Sequence, residues 1–236
     1  MERMRSKFYR LLPWITIYFI AMAYLESAVV VYLRALYYPA GFGFPIVPMP
    51  VDLVRTEIWR EVATMVMLLA PSALVARSAL DRFAWFCYGF GVWDIFYYVW
   101  LKVLLDWPES LATMDLLFLI PVPWVGPVWA PVLVSIGLIV IGLAILEGRS
   151  TSNLRIGWLE WSLLIGGALV IITSFILDPL QQGVVTLGGG ASSPFVTYEP
   201  GRFPWEVFAC GSGLAAVEVF RVLLAIRRSG SKVSPE

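Results

Sequence analysis

The sequence predicts an all-α membrane protein built as a bundle of six transmembrane helices. Of its 236 residues, 59% are hydrophobic and 14% are charged, whereas a soluble domain carries about 25% charged residues. The apolar residues form continuous blocks of about twenty, which is the length of a helix that crosses a bilayer. A transmembrane barrel would show short segments of alternating polarity instead. We therefore expect a single integral-membrane domain over residues 1–236.

The predicted spans cover 13–34, 53–76, 82–105, 124–146, 156–177 and 204–226. An alternative interpretation makes the first of them a cleaved signal peptide, because basic residues precede its apolar run. We expect a retained helix, since cleavage would leave the apolar and aromatic stretch that follows in water.

The orientation of the bundle follows from the distribution of Lys and Arg. Eleven of the seventeen basic residues fall on one side of the six-span arrangement: Arg3, Arg5, Lys7, Arg10, Arg77, Arg82, Arg149, Arg155, Arg227, Arg228 and Lys232. Basic connections remain in the cytoplasm. The sequence therefore predicts a protein of the cell (inner) membrane with both termini cytoplasmic.

The connections on the other side, 37–52, 106–123 and 178–203, are apolar and rich in Pro and Gly. Solvated linkers are polar instead, so we expect these segments to form a cap on the extracytoplasmic face. Within the cap, the sequence predicts a short interfacial helix near 110–119 and a small hairpin in the last connection.

Ionisable residues lie on the polar stripes of the first three spans, at similar depths. The candidate ligand-binding or ion-pair cluster contains Glu26, Arg34, Glu57, Arg60, Glu61, Asp94, Tyr98 and Lys102. A charge at mid-bilayer costs roughly 2.5–3.5 kcal/mol, so these groups must pair, become protonated or meet water. With four acids and three bases, one carboxyl group is left to be protonated or to hold a cation.

The composition excludes several kinds of site and partner. The chain has no histidine, which excludes histidine-ligated haem, pigment and zinc, and we predict no metal or other cofactor. Its net charge of zero gives no reason to expect a nucleic-acid partner. The lipid bilayer is the expected environment. Small residues over 209–216 are typical of close helix packing, so they favour either an internal contact or a membrane-protein partner.

Three functions fit these observations. The first is binding or transport of a small ligand or cation at the charged cluster. The second is a non-catalytic subunit or assembly factor of a membrane complex, in which the cluster only ties helices together. The third is an enzyme that modifies a lipid or isoprenoid. No catalytic signature is present, so we expect a protein that is not an enzyme.

Overall fold

The computed structural model of the protein describes residues 2–76, 78–151, 156–184 and 198–230. Six helices dominate these residues: α1 Glu2–Tyr37, α2 Val51–Val75, α3 Ala79–Leu105, α4 Trp129–Thr151, α5 Trp158–Gln181 and α6 Trp205–Gly230. Two short strands, β1 Met114–Phe118 and β2 Trp124–Pro127, connect α3 to α4.

Within the described part of the chain, five helical segments are long and apolar enough to cross a membrane: Phe8–Tyr37, Val51–Val75, Trp129–Arg149, Trp158–Gln181 and Trp205–Leu224. Large apolar side chains on their surfaces are exposed, among them Trp14, Trp59 and Leu74, as expected for contact with lipid. The prediction of a multi-pass helical membrane protein is confirmed at this level.

Helix α3 is also long, but it is not among the five segments that are apolar enough to cross a membrane. Its 27 residues span about 40 Å at 1.5 Å per residue, but Trp, Tyr and charged residues interrupt its apolar stretches. It packs against α1, α2 and α4. Several sides of α3 therefore face protein.

Glycines set the closest helix contacts. A Cβ atom at Gly91 of α3 would lie 2.5 Å from the carbonyl oxygen of Ser135 on α4, and one at Gly142 of α4 would lie 2.6 Å from that of Ala84. Helices α5 and α6 meet in the same way, because a Cβ at Gly211 would lie 2.7 Å from the backbone nitrogen of Ile171. Small residues allow backbones to approach this closely in membrane helices.

The predicted interfacial helix near 110–119 is wrong. Residues 114–118 form β1, which pairs with β2 in an antiparallel hairpin with Leu116 opposite Val125. The backbone N–H and C=O groups of 114–118 bond to those of 124–127 and therefore do not form the bonds of a helix. The described residues are therefore mostly helical but also include this small two-stranded sheet.

The predicted span boundaries differ most from the helices in α1 and α4. Helix α1 begins at Glu2 and not near 13, with Pro13 inside it. Helix α4 begins at Trp129 and not at 124, because 124–127 belong to β2. Most of the hairpin predicted within 178–203 falls on 185–197, which lie outside the described residues.

In the described connections, Ile46, Trp107 and Tyr198 are buried. Tyr198 donates a hydrogen bond to Asp178 at 2.6 Å, and burial raises the pKa of its phenol. Whether the three connections form one cap stays a prediction.

Candidate functional site

A cavity of about 980 Å³ lies between the helices. All six helices, the hairpin and the segment between α1 and α2 contribute to its wall. Phe83 and Tyr98 of α3 both line it, so the cavity extends about 22 Å along this helix at 1.5 Å per residue. Ligand sites typically measure about 300–1,000 Å³, so this cavity is large enough for an extended molecule.

The wall is mostly apolar, and its charges are confined to the side of α1, α2, α3 and the hairpin. The charged residues on the described wall are Glu26, Arg34, Glu57, Arg60, Glu61, Asp94 and Asp115. The wall formed by α5 and α6 carries no Asp, Glu, Lys or Arg among its described residues. The cavity thus has a charged region and a long apolar region.

Arg60 is the centre of an ion-pair cluster between α1 and α2. Its Nε lies 2.7 Å from Oε2 of Glu57, one helical turn earlier, and its Nη1 donates to Glu26 of α1. The hydroxyl of Thr64 donates to the other oxygen of Glu26 at 3.1 Å. We call Glu26, Glu57, Arg60 and Thr64 the arginine cluster. Glu57, Arg60 and Thr64 lie on one face of α2, because they are spaced by three and four residues.

Glu61 is adjacent in sequence but does not join the arginine cluster. Both of its carboxylate oxygens accept the backbone N–H of Leu119, at 3.0 Å. This contact ties α2 to the segment just after β1. Within the described residues Glu61 forms no ion pair, and the N–H of Leu119 is its hydrogen-bond partner.

A second ion pair connects α1 to the hairpin. Arg34 Nη2 lies 3.7 Å from Oδ1 of Asp115, and the Tyr98 hydroxyl donates to the other oxygen at 3.2 Å. The Arg34 guanidinium lies 3.8 Å from the ring centroid of Trp107 and 4.4 Å from that of Phe42. Burial raises the pKa of Asp115 to about 6, although Arg34 and Tyr98 oppose the shift.

Asp94 lies one turn from Gly91, where α3 packs closely against α4. Ser135 Oγ donates to its Oδ2 at 2.8 Å, a contact that the missing side chain of Gly91 allows. Among the described residues Asp94 has no other hydrogen-bond or ion-pair partner. Its neighbour Trp93 is 4% exposed, and the indole Nε1 has no acceptor within the part of the chain that the structure describes. Both residues line the cavity.

Lys102 lies away from the cavity. Its ammonium pairs with Asp106 at 2.7 Å and donates to the carbonyl oxygens of Asp106 and Pro108. It closes the carboxyl end of α3, where cations stabilise a helix, and it lowers the pKa of Asp106.

The eight predicted residues therefore do not form one cluster in the structure. It brings Glu26, Glu57 and Arg60 together, places Arg34 and Tyr98 on Asp115, and gives Glu61, Asp94 and Lys102 separate partners. Seven of the eight, all except Lys102, line the cavity. Whether these residues bind a ligand stays a prediction.

The predicted cluster did not include Asp115, Trp93 and Ser135, which line the cavity, or Thr64, which bonds Glu26. Asp115 was hidden because a helix was expected at its position. The prolines on both sides of "WVG" were the available signal for a hairpin. Nothing in the sequence distinguishes Trp93 from the other aromatic residues of α3.

A scan against protein-family models, a search of curated proteins and a search of solved structures each find no match to this chain.

Proposed function

We propose that the protein binds an amphipathic, lipid-like molecule in the cavity, with the polar end near α3 and the hairpin and the apolar chain between α4, α5 and α6. The observation that carries this proposal is the shape and chemistry of the cavity: about 22 Å long on helix geometry, mostly apolar, and charged in one region only. A site for a small hydrated cation would be lined chiefly by oxygen ligands.

The proposal includes six membrane spans, with α3 as the sixth. A helix of 27 residues is longer than the roughly 30 Å hydrocarbon core of a bilayer, and α3 lies beside three of the apolar helices. Six spans place both termini on one side. From the distribution of Lys and Arg we propose that this side is the cytoplasm and that the membrane is the cell (inner) membrane.

Two glycines offer a matched test of binding. A Cβ atom at Gly137 of α4 or at Gly213 of α6 would meet nothing within 4 Å, so both positions have room for a larger side chain. Gly137 lines the cavity, whereas Gly213 is exposed and is not among the lining residues. Gly→Phe at either position replaces a poor helix former by a better one. Gly137→Phe fills the cavity, and Gly213→Phe is its control.

The measurement is the amount of lipid that co-purifies with the protein in detergent, determined by mass spectrometry of the extract. We expect one dominant lipid-class molecule in the wild type and in Gly213→Phe, and less than about a tenth of that amount in Gly137→Phe. Equal amounts of every lipid in all three proteins would overturn the proposal.

In that case the remaining interpretations would be a subunit or assembly factor and a lipid- or isoprenoid-modifying enzyme. For a subunit or assembly factor, the small residues over 209–216 are the candidate contact surface for a partner protein. Gly211 of this face already packs against α5, while Ala209 and Gly213 are exposed.

A further inference from the structure

The chemistry of Asp94 narrows the class of ligand. We propose that the polar end of the bound molecule is a positively charged amino group that pairs with Asp94, so that the ligand belongs to the long-chain amines. This inference rests on the proposed function, because it concerns the same cavity.

The cavity wall carries more acidic than basic groups, which favours a cation. Its described part contains five acids, Glu26, Glu57, Glu61, Asp94 and Asp115, and two bases, Arg34 and Arg60. The two arginines are already paired with three of the five carboxyl groups. The other two, on Glu61 and Asp94, have no cationic partner among the described residues. An anionic head group would meet this surplus of negative charge and would find no unpaired arginine on the described wall.

Asp94 presents a carboxyl oxygen to the cavity. The residue is 8% exposed and lines the cavity, and its Oδ2 accepts the Ser135 hydroxyl at 2.8 Å. Its Oδ1 accepts no bond from the described residues, and it is not among the unbonded atoms that the protein seals off from contact. A buried charge without a partner is strongly destabilising, and an amino group that donates to Oδ1 would supply the partner. Glu61 differs, because both of its oxygens already accept the N–H of Leu119.

The neighbours of Asp94 also suit a cation. Phe90 and Tyr98 lie one turn before and one turn after Asp94 on the same face of α3, and both line the cavity. Aromatic rings attract cations and are commonly used to bind ammonium ligands. Asp115, which accepts the Tyr98 hydroxyl at 3.2 Å, repels the carboxylate of Asp94. A cation beside Asp94 reduces this repulsion, because it stabilises the charged form of a nearby carboxyl group.

A bare metal ion fits the cavity less well than an amine. Within the part of the chain that the structure describes, no group of three or more Asp, Glu, Cys or His side chains could hold such an ion. An amino group needs only one carboxylate, and the chain attached to it can lie against the apolar wall of α5 and α6.

The test uses purified full-length protein in an uncharged detergent at neutral pH. The four probes share one saturated chain: hexadecylamine, N-acetylhexadecylamine, hexadecanol and hexadecyl phosphate. Acetylation keeps the nitrogen but removes its charge. Binding of tritiated hexadecylamine is measured by scintillation proximity, and the other three compete as unlabelled molecules. We expect hexadecylamine to bind at least about tenfold more tightly than each of the others, as for a hydrogen bond between charged groups.

Asp94→Asn removes the charge and keeps an oxygen that can accept the Ser135 hydroxyl. We expect the preference for hexadecylamine over hexadecanol to fall about tenfold or more, while hexadecanol binds as in the wild type. Asp81→Asn is the matched control. Asp81 lies on the same helix and pairs with Arg149 at 3.2 Å, but it is not among the residues that line the cavity. Its replacement removes the same charge elsewhere and should leave the preference unchanged.

The outcomes separate the inference from the proposed function. If hexadecanol, the acetylated amine or the phosphate binds as tightly as hexadecylamine, the assignment of an amine is wrong while binding of an amphiphile stands. The assignment is also wrong if Asp94→Asn keeps the full preference. If Asp94→Asn does not fold, the comparison of the four probes on the wild type decides. If none of the probes binds, the proposed function fails, and this inference fails with it.

Discussion

Replacing Arg60 with Met should destabilise the protein strongly. The change removes the guanidinium that is bonded to both Glu26 and Glu57, whose side chains are 13% and 8% exposed. Removing one partner of a buried ion pair typically costs about 3–5 kcal/mol, because the other charge is left uncompensated. In a protein of 150–250 residues, 1 kcal/mol corresponds to about 2–4 °C in Tm, so we expect Tm to fall by roughly 6–20 °C.

A compensated variant separates the charge from the loss of the side chain itself. Arg60→Met together with Glu26→Gln and Glu57→Gln leaves no charge in the arginine cluster. We expect this triple variant to recover at least half of the lost Tm. Such recovery would be the signature of coupled residues, since independent changes add.

Helix α2 also provides a matched control. Arg55 pairs with Asp52 at the same spacing of three, at 3.5 Å, but the two side chains are 68% and 95% exposed. An exposed pair contributes about 0–1 kcal/mol, so Arg55→Met should hardly change Tm. The assay is thermal unfolding of the detergent-solubilised variants by circular dichroism. The reasoning is refuted if Arg55→Met costs as much as Arg60→Met, or if the triple variant loses the sum of the single losses.

Three further predictions follow from other parts of the structure. Because burial raises the pKa of Asp115 from 3.8 to about 6, the folded protein binds more protons than the unfolded chain between roughly pH 4 and 6. Stability should therefore fall as pH rises through this window, by about 3 kcal/mol from this group. Tm measured against pH should lose this slope in Asp115→Asn, and an unchanged slope would contradict the assignment. Gly91→Ala, whose Cβ would press on the backbone of α4, should cost about 1–3 kcal/mol. Gly166→Ala is the control and should leave the stability unchanged, because nothing lies within 4 Å of its Cβ. Equal Tm losses in the two variants would show that α3 and α4 are not in tight contact. Reporter fusions at residue 236 and within 180–200 should report opposite sides of the membrane, and the same side at both positions would exclude six spans.

The positions of the helices could be predicted because the signal is local. Sufficiently long blocks of apolar residues predict the positions of helices α2, α3, α5 and α6. Most ends of these helices lie within a few residues of the predicted span boundaries. The start of α4 was misplaced because "WVGP" is as apolar as the helix after it, and apolarity alone does not distinguish a buried strand from a helix.

The partners of the buried charges could not be predicted in the same way. Depth along a helix is given by residue number, but the direction of a side chain depends on how neighbouring helices are rotated. Glu61 and Arg60 are adjacent in sequence, yet one bonds the segment after β1 and the other bonds α1. Asp94 bonds α4 only because Gly91 brings that helix close. Such contacts are set by packing between elements distant in sequence.

The uncharged wall of α5 and α6 has a consequence for synthesis of the chain. Chains generally fold from the N-terminus during synthesis. The arginine cluster is complete once α1 and α2 are present, Arg34 and Glu61 find their partners at the hairpin, and Asp94 finds Ser135 on α4. Every charged cavity residue thus has its described partner before α5 enters the membrane. The two final helices then close an apolar compartment around groups that are already neutralised or hydrogen-bonded, and until that moment lipid tails can occupy the same space.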